Sequence, residues 1–199
     1  MADISQNIVV DSDMSVEVVL AQNPKSLAPQ SVMDSMEIIN VKYYGFDNKT
    51  HSGQIVMNKI VADDTKKFFQ LAFDTKFPIE KVIPISSEKY KWDDAVSCAD
   101  NNSSGFNYRL VAGTNKLSKH SMGMAFDVNP VQNIYIRYDQ NLKETFRAPV
   151  GGVYDRNISG TLTHDHPLVV LLRNLGWDWG GDWVAESGRI DYQHFEKRV

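Results

Sequence analysis

A single cysteine, Cys98, stands in 199 residues. An intramolecular disulfide is therefore impossible, and so is a cysteine-rich zinc knuckle. Cys98 itself reads as a small, partly buried residue rather than a nucleophile, because no histidine–asparagine arrangement surrounds it in a recognisable motif. Long apolar runs are also missing. No stretch approaches the roughly 18 residues that a bilayer-spanning helix needs, so no membrane span is expected. The start of the chain has no basic region followed by an apolar block. Asp3, Asp11, Asp13 and Glu17 interrupt it, a pattern that does not read as a signal peptide. Charge of one sign is not in large excess. The net charge of −4 gives no reason to expect nucleic acid or an anionic membrane as the main partner. Histidine is scarce, with five in the chain, so each can be weighed individually.

Against these absences stand 42% hydrophobic and 11% aromatic residues, enough for a sizeable core. The length suits one domain with an appended segment. Residues 1–36 read as an N-terminal extension, with short strands at Ile8–Val10 and Val16–Leu20 and turns at Asn23-Pro24 and Ala28-Pro29. Residues 37–199 form the main domain. There Glu37–Tyr44 and Gln54–Met57 read as strands around a Gly45–Gly53 loop. Asp63 and Asp64 offer an N-cap to a helix running to about Thr75, with Phe69 and Phe73 on one face. Lys81–Ile85 reads as a short strand, 86–104 as a polar loop, and Val111–Ser121 as a further loop. Met124–Val128 is an apolar strand broken by Asp127. Residues 131–163 look irregular. Pro167 opens a helix through Leu175, which Gly176 stops. Gly180-Gly181 makes a turn, and Arg189–Glu196 alternates as a closing strand. Strands and helices without regular alternation indicate an α+β fold.

Two stretches carry the chemistry: Ser118-Lys119-His120-Ser121-Met122-Gly123-Met124-Ala125-Phe126-Asp127 and Asp191-Tyr192-Gln193-His194-Phe195. They offer two imidazoles, a carboxylate that can bind a metal, and a second carboxylate beside it. A hydrolytic zinc site requires that set, because three protein ligands leave a fourth position for water. Two neutral histidines and one aspartate leave bound Zn2+ with net positive charge, hence a strong Lewis acid. On its own, a histidine seven residues before an aspartate reads equally well as a loop histidine and a capping aspartate. Asp127 interrupts an apolar strand, however, and an isolated buried carboxylate is very costly. Asp191 and His194 are three apart, an offset that strand alternation does not place on one face, so a twist or bulge is expected between them. An exposed aspartate and a core histidine beside Phe195 is the plainer alternative. His164-Asp165-His166 precedes Pro167 and reads as helix-entry capping rather than metal binding. His51 reads as a solvated residue of a hairpin loop.

The pattern Ser-x-His-x-x-Gly-x-Ala-x-Asp, followed far downstream by Asp-x-x-His-Phe, resembles the zinc D-Ala-D-Ala carboxypeptidases and L-Ala-D-Glu endopeptidases. These share a metal core with the vancomycin-resistance D,D-dipeptidases, phage peptidoglycan endopeptidases and the hedgehog signalling domain. Asn101-Asn102-Ser103-Ser104-Gly105-Phe106-Asn107-Tyr108-Arg109, Asp127-Val128-Asn129-Pro130 with Gln132-Asn133, and Gly176-Trp177-Asp178-Trp179-Gly180-Gly181-Asp182-Trp183 extend the likeness over about residues 37–196. The resemblance implies a small antiparallel sheet carrying one Zn2+, with helices packed on one side. It implies His120, Asp127 and His194 as ligands, Asp191 as general base and acid, and Arg109 as the group that steadies a substrate carbonyl or carboxylate. Many carboxypeptidase relatives have glutamate where Asp191 stands; aspartate is nearer the phage endopeptidase branch, and this leaves the bond cleaved undecided. Mn2+ or Co2+ suits the same ligands.

Ser118, Tyr108 and Trp183 are candidates for supporting a ligand or binding substrate, while at least one of Trp177, Trp179 and Trp183 is expected in the core. The substrate implied is the peptide stem of bacterial peptidoglycan, acted on by a monomer in the cell wall, the periplasm or outside the cell. Without a signal peptide, the cytoplasm or a phage-lysis route is the alternative. Two other readings remain open: a zinc-containing binding or signalling domain without activity, and a cytoplasmic D,D-dipeptidase.

Overall fold

The structure is a computed structural model that describes residues 8–111 and 113–198. Residues 1–7 of the expected extension lie outside the described residues, as do Ala112 in the Val111–Ser121 loop and Val199 of the main domain. The first half of the chain runs β1 (Val9–Val10), α1 (Val16–Val19), α2 (Gln30–Met33), β2 (Met36–Tyr44), β3 (Thr50–Asn58), α3 (Ala62–Asp74), β4 (Lys81–Val82), α4 (Asp94–Ala99) and β5 (Asn102–Ser103). The second half runs β6 (Ala125–Asp127), β7 (Tyr135–Tyr138), β8 (Glu144–Ala148), α5 (Pro167–Asn174), β9 (Trp177–Trp179), β10 (Arg189–Asp191) and β11 (His194–Lys197). The result is a mixed fold of small sheets and a few helices. No helix among the described residues is long and apolar enough to cross a membrane.

One sheet positions the chemistry. β11 pairs antiparallel with both β6 and β9, with His194 opposite Asp127 and Phe195 opposite Phe126 and Trp179. Successive strand residues point to opposite faces, so this register sorts the sheet into two sides. Phe126, Phe195, Trp177 and Trp179 join Phe68 and Phe69 of α3 and Leu168 and Leu172 of α5 in the main core. Phe68 and Phe126 meet edge to face at 5.1 Å, and Phe126 meets Trp177 in the same way at 5.3 Å. Each such side chain contributes roughly 1.5–3 kcal/mol by leaving water. The alternate residues Asp127, His194 and Glu196 are turned to the other side.

The buried residues Thr65, Phe68, Phe69 and Ala72 of α3 follow the spacing of one helical face. Its N-cap is Val61, and Asp63 and Asp64 lie within the first turn rather than at the cap. There their charge suits the positive end of the helix dipole. Phe73, one turn on from Phe69, stacks on Tyr44. Pro167 opens α5, and Gly176 follows its end with φ 81°. His166 caps the helix by accepting the Leu168 N–H, in line with the capping reading.

Several local expectations are corrected. Val16–Val19 is a helix, not a strand, because Val19 is drawn into a second cluster with Val32, Met33, Val56 and Phe106. Packing there overrides the strand preference of valine. The hairpin loop is shorter than the Gly45–Gly53 reading, since β3 starts at Thr50. The supposed polar loop 86–104 holds α4 and β5. The supposedly irregular 131–163 contains the β7–β8 hairpin. The closing segment is not one strand: a turn at Tyr192–Gln193 breaks it into β10 and β11, which belong to different sheets. His51 is not solvated; it is buried, with Nδ1 2.7 Å from Asp11 and Nε2 3.0 Å from Asp47.

The asparagines of the Asp-Val-Asn-Pro stretch are scaffolding. Buried Asn129 donates to the Pro78 and Gly160 carbonyls, and Asn133 donates to Val128 and Gly160. These bonds tie the loop after β6 to distant segments.

Candidate metal centre

Asp127 ends β6 and His194 begins β11, and their register makes them cross-strand partners. His120 reaches them from a 3-10 turn, Lys119–Met122. Ser118 caps this turn by accepting the His120 N–H at 3.3 Å, and Gly123 ends it in the left-handed conformation, φ 63°. A Cβ on Gly123 would stand 2.6 Å from the Asn58 amide nitrogen. That position therefore needs glycine for its conformation and for the close approach.

The ligating atoms of His120, Asp127 and His194 all lie within 4.8 Å of one another, and all three residues are buried. The His120 Nδ1 is 2.7 Å from the Gly105 carbonyl oxygen. That oxygen can only accept, so Nδ1 carries the hydrogen and Nε2 faces the cluster. Nε2 is 3.2 Å from His194 Nδ1 and 3.4 Å from Asp127 Oδ2. His194 Nδ1 is 3.0 Å from Asp127 Oδ1, while its Nε2 is 3.1 Å from Glu196. Each imidazole is thus oriented from behind, one by a carbonyl and one by a carboxylate, as metal-ligating histidines usually are.

Burial pushes the Asp127 carboxyl up, but the two histidines outweigh it and hold the carboxyl far below its ordinary range. Burial pushes the His194 imidazole down, and its hydrogen bonds to Asp127 and Glu196 overcome this and raise it to about 10. The pocket therefore favours positive charge between these side chains. Two imidazoles and a carboxylate suit Zn2+, and the donor set fits one ion.

Asp191 stands apart from the trio at the end of β10. Its Oδ1 is buried and makes no hydrogen bond within the protein. Loss of water around the carboxyl, together with the charge of Asp127, raises it to about 7 against the pull of His194. Gly180 makes room for it: a Cβ there would stand 2.3 Å from the Asp191 carbonyl oxygen. The offset of three residues is resolved by the Tyr192–Gln193 turn, rather than by a bulge within one strand.

Arg109 is tied to the His120 turn through its backbone, since Ser121 Oγ accepts its N–H and donates to its carbonyl. Its Nη2 pairs with Asp94 at 2.8 Å, and its Nε is buried without a partner. Tyr108 packs against the second apolar cluster. Trp183 packs against His194 with ring centroids 5.6 Å apart, whereas Trp177 and Trp179 are core residues. Cys98 is half-buried, and burial, followed by the charges of Asp94, Asp127 and Asp191, pushes its thiol well up. This chemistry does not suit a nucleophile.

Sequence reasoning overlooked Glu196, Gly105, Asp94 and Gly180. Glu196 had a usable signal: it lies two residues after His194 on a strand, hence on the same face. Gly105, Asp94 and Gly180 act through contacts distant in sequence.

Residues 112–197 match the model of a family described as D-alanyl-D-alanine carboxypeptidase, so the resemblance read from the motifs holds over that stretch. The matched stretch includes His120, Asp127, Asp191 and His194 and leaves out Arg109. No curated protein and no solved structure matches the chain. The family points to a peptidase, and the trio is a candidate metal centre for it.

Proposed function

We propose that the chain is a zinc metallopeptidase that hydrolyses a peptide bond in the peptidoglycan stem, at a D-Ala-D-Ala terminus or an L-Ala-D-Glu bond. The observation that carries this reading is the meeting of His120, Asp127 and His194 within 4.8 Å, together with a buried Asp191 oxygen that has no partner and feels the charges of His194 and Asp127. His120 Nε2, Asp127 and His194 Nδ1 are the atoms that would hold one Zn2+. Held there, the ion supplies a Lewis acid able to lower the pKa of water to about 7 and to polarise a carbonyl.

Asp191 accepts the proton of the attacking water and delivers it to the leaving amine. Its pKa, raised to about 7, suits both halves of that task near neutral pH. Arg109 is charged at any working pH, and its planar guanidinium is suited to orient the substrate carbonyl or carboxylate. Its unpartnered Nε supports that role. Glu196 and the Gly105 carbonyl hold the two imidazoles in register. Ser118 acts by capping the His120 turn. In this reading, residues 37–199 form the catalytic domain, carried by a monomer that works at the cell wall or outside the cell, with residues 1–36 as an extension.

The test combines zinc content with release of free amine from purified peptidoglycan, with and without chelator. Mass spectrometry of the fragments identifies the bond. One zinc per chain and chelator-sensitive release are expected. Zinc without release would leave a binding module, and hydrolysis restricted to free D-Ala-D-Ala would make the chain a dipeptidase.

A further inference from the structure

The β10–β7 pair presents, on the face that carries Asp191, two arginines that the proposed hydrolysis does not use. Asp191 lies opposite Tyr135 and Arg189 opposite Arg137. Residues two apart on a strand share a face, so these four side chains stand on one side of the pair. Phe146 of β8, opposite Arg137, continues that side. The arginines are therefore on the same surface as the candidate base. Tyr135, Arg137, Trp183, Ser187, Gly188 and Arg189 line an open groove of about 340 Å³ there. Trp183 also touches His194, so the groove leads away from the candidate metal centre.

Two like charges directly opposite each other across a strand pair are unfavourable. The charge of Arg189 is felt by Asp191 and Glu196, but among the described residues neither Arg137 nor Arg189 makes a direct ion pair. Arg109, Arg147, Arg173 and Arg198 each pair with an aspartate or glutamate, while Arg156 bonds to Tyr154. Both groove arginines are instead held by aromatic rings. The Arg189 guanidinium lies over Trp183 at 4.5 Å, and that of Arg137 lies 5.0 Å from the Phe146 ring centroid. Arg137 Nε donates to the Tyr135 hydroxyl at 2.9 Å. The guanidiniums are thereby fixed in place while other N–H groups stay open to an acceptor, an arrangement suited to recognising carboxylate.

We infer that Arg137 and Arg189 form a subsite for a carboxylate of the substrate peptide, one or two residues from the bond that is cut. Two residues along β10 span roughly 7 Å, which is also the reach of about two residues of extended peptide. For a cut at D-Ala-D-Ala, the D-Glu residue of a peptidoglycan stem offers such a carboxylate, and Trp183 and Tyr135 offer apolar contact to the chain on either side of it. The inference rests on the proposed peptidase reading for the identity of the ligand, but the subsite can be tested separately.

Two probes separate the cases: N-acetyl-L-Ala-γ-D-Glu-L-Lys-D-Ala-D-Ala with its D-Glu carboxylate free, and the same peptide with that carboxylate amidated. Turnover (kcat/KM) and binding by calorimetry are measured for both. The wild-type protein should favour the free acid by about tenfold to a hundredfold, as expected for charge-assisted hydrogen bonds. R137Q/R189Q should bring that ratio close to one, while R137K/R189K keeps part of it. R147Q, on β8 and paired with Glu144, should leave the ratio unchanged. Zinc content and thermal unfolding confirm that each variant is folded. Turnover without any preference between the probes overturns the subsite and leaves the peptidase standing. Preferential binding of the acid without turnover, lost in R137Q/R189Q, keeps the subsite and removes the peptidase. Absence of both turnover and binding overturns the subsite as well.

Discussion

At the scale of single residues, the site is a balance between burial and charge. Asp127 and Asp191 lie on strands of two different sheets, and their carboxyls are driven in opposite directions. Asp127 is held down by two imidazoles, and Asp191 is lifted to about 7 by loss of water and by Asp127 itself. Environments that push two titratable groups apart are how one site obtains both a permanent anion and a proton carrier. A base must be ionised to act, so kcat/KM should climb with pH and level off at or below about 7, since a cation at the trio would pull the limb downward. D191N should retain its zinc, lose that limb, and lose about 10²–10⁴-fold in kcat. Zinc analysis and a pH–rate profile check this, and full turnover by D191N would remove Asp191 from the mechanism. The motif letters mark the residues of the site but little of its charge balance. Asp191 acquires its character from Gly180, Asp127 and the lost water, none of which a local pattern records.

At the scale of elements, legibility followed locality. β2, α3, β6 and α5 could be read because their periodicity, proline and glycine signals are contained in each segment. β1 was legible too, as part of the Ile8–Val10 strand; α1 was not, because contacts of Val19 with Val56 of β3 and its neighbours decide it. β1 pairs in parallel with β3, and Ser12 donates to Gln54. Beside that pairing, Asp11 accepts hydrogen bonds from His51 and the Tyr43 hydroxyl. Burial pushes the His51 imidazole down, but Asp47 and Asp11 outweigh it, and its pKa ends up raised. A raised histidine contributes stability that is fully present below the unfolded value of about 6.5 and is lost as pH rises through the folded value. The clip on β1 should therefore loosen on the alkaline side. Amide exchange at Val9–Asp11 should speed up with pH beyond its intrinsic increase, and H51Q should abolish the excess.

At the scale of the whole molecule, the candidate ligands come from three separate segments: a 3-10 turn, the end of β6 and the start of β11. An ion joining them would link the loop before β6 to the last strand of the main core, so metal affinity and folding are coupled. Saturation at about a thousand times Kd would add about 4 kcal/mol. Chelation should lower Tm, and H120A should both lose zinc and become insensitive to chelator, as calorimetry would show. A zinc stoichiometry in H120A equal to that of the wild type would count against the ligand set. The Tyr192–Gln193 turn carries one more consequence. It is the joint at which the candidate base and the last candidate ligand part company, each riding on its own sheet. A single residue inserted there would shift the phase of one strand against the other and turn Asp191 outward, while the trio and both cores stayed whole. If the proposed hydrolysis holds, a scaffold of this build would be one short indel away from catalytic silence, a short evolutionary path from cutting a ligand to merely grasping it.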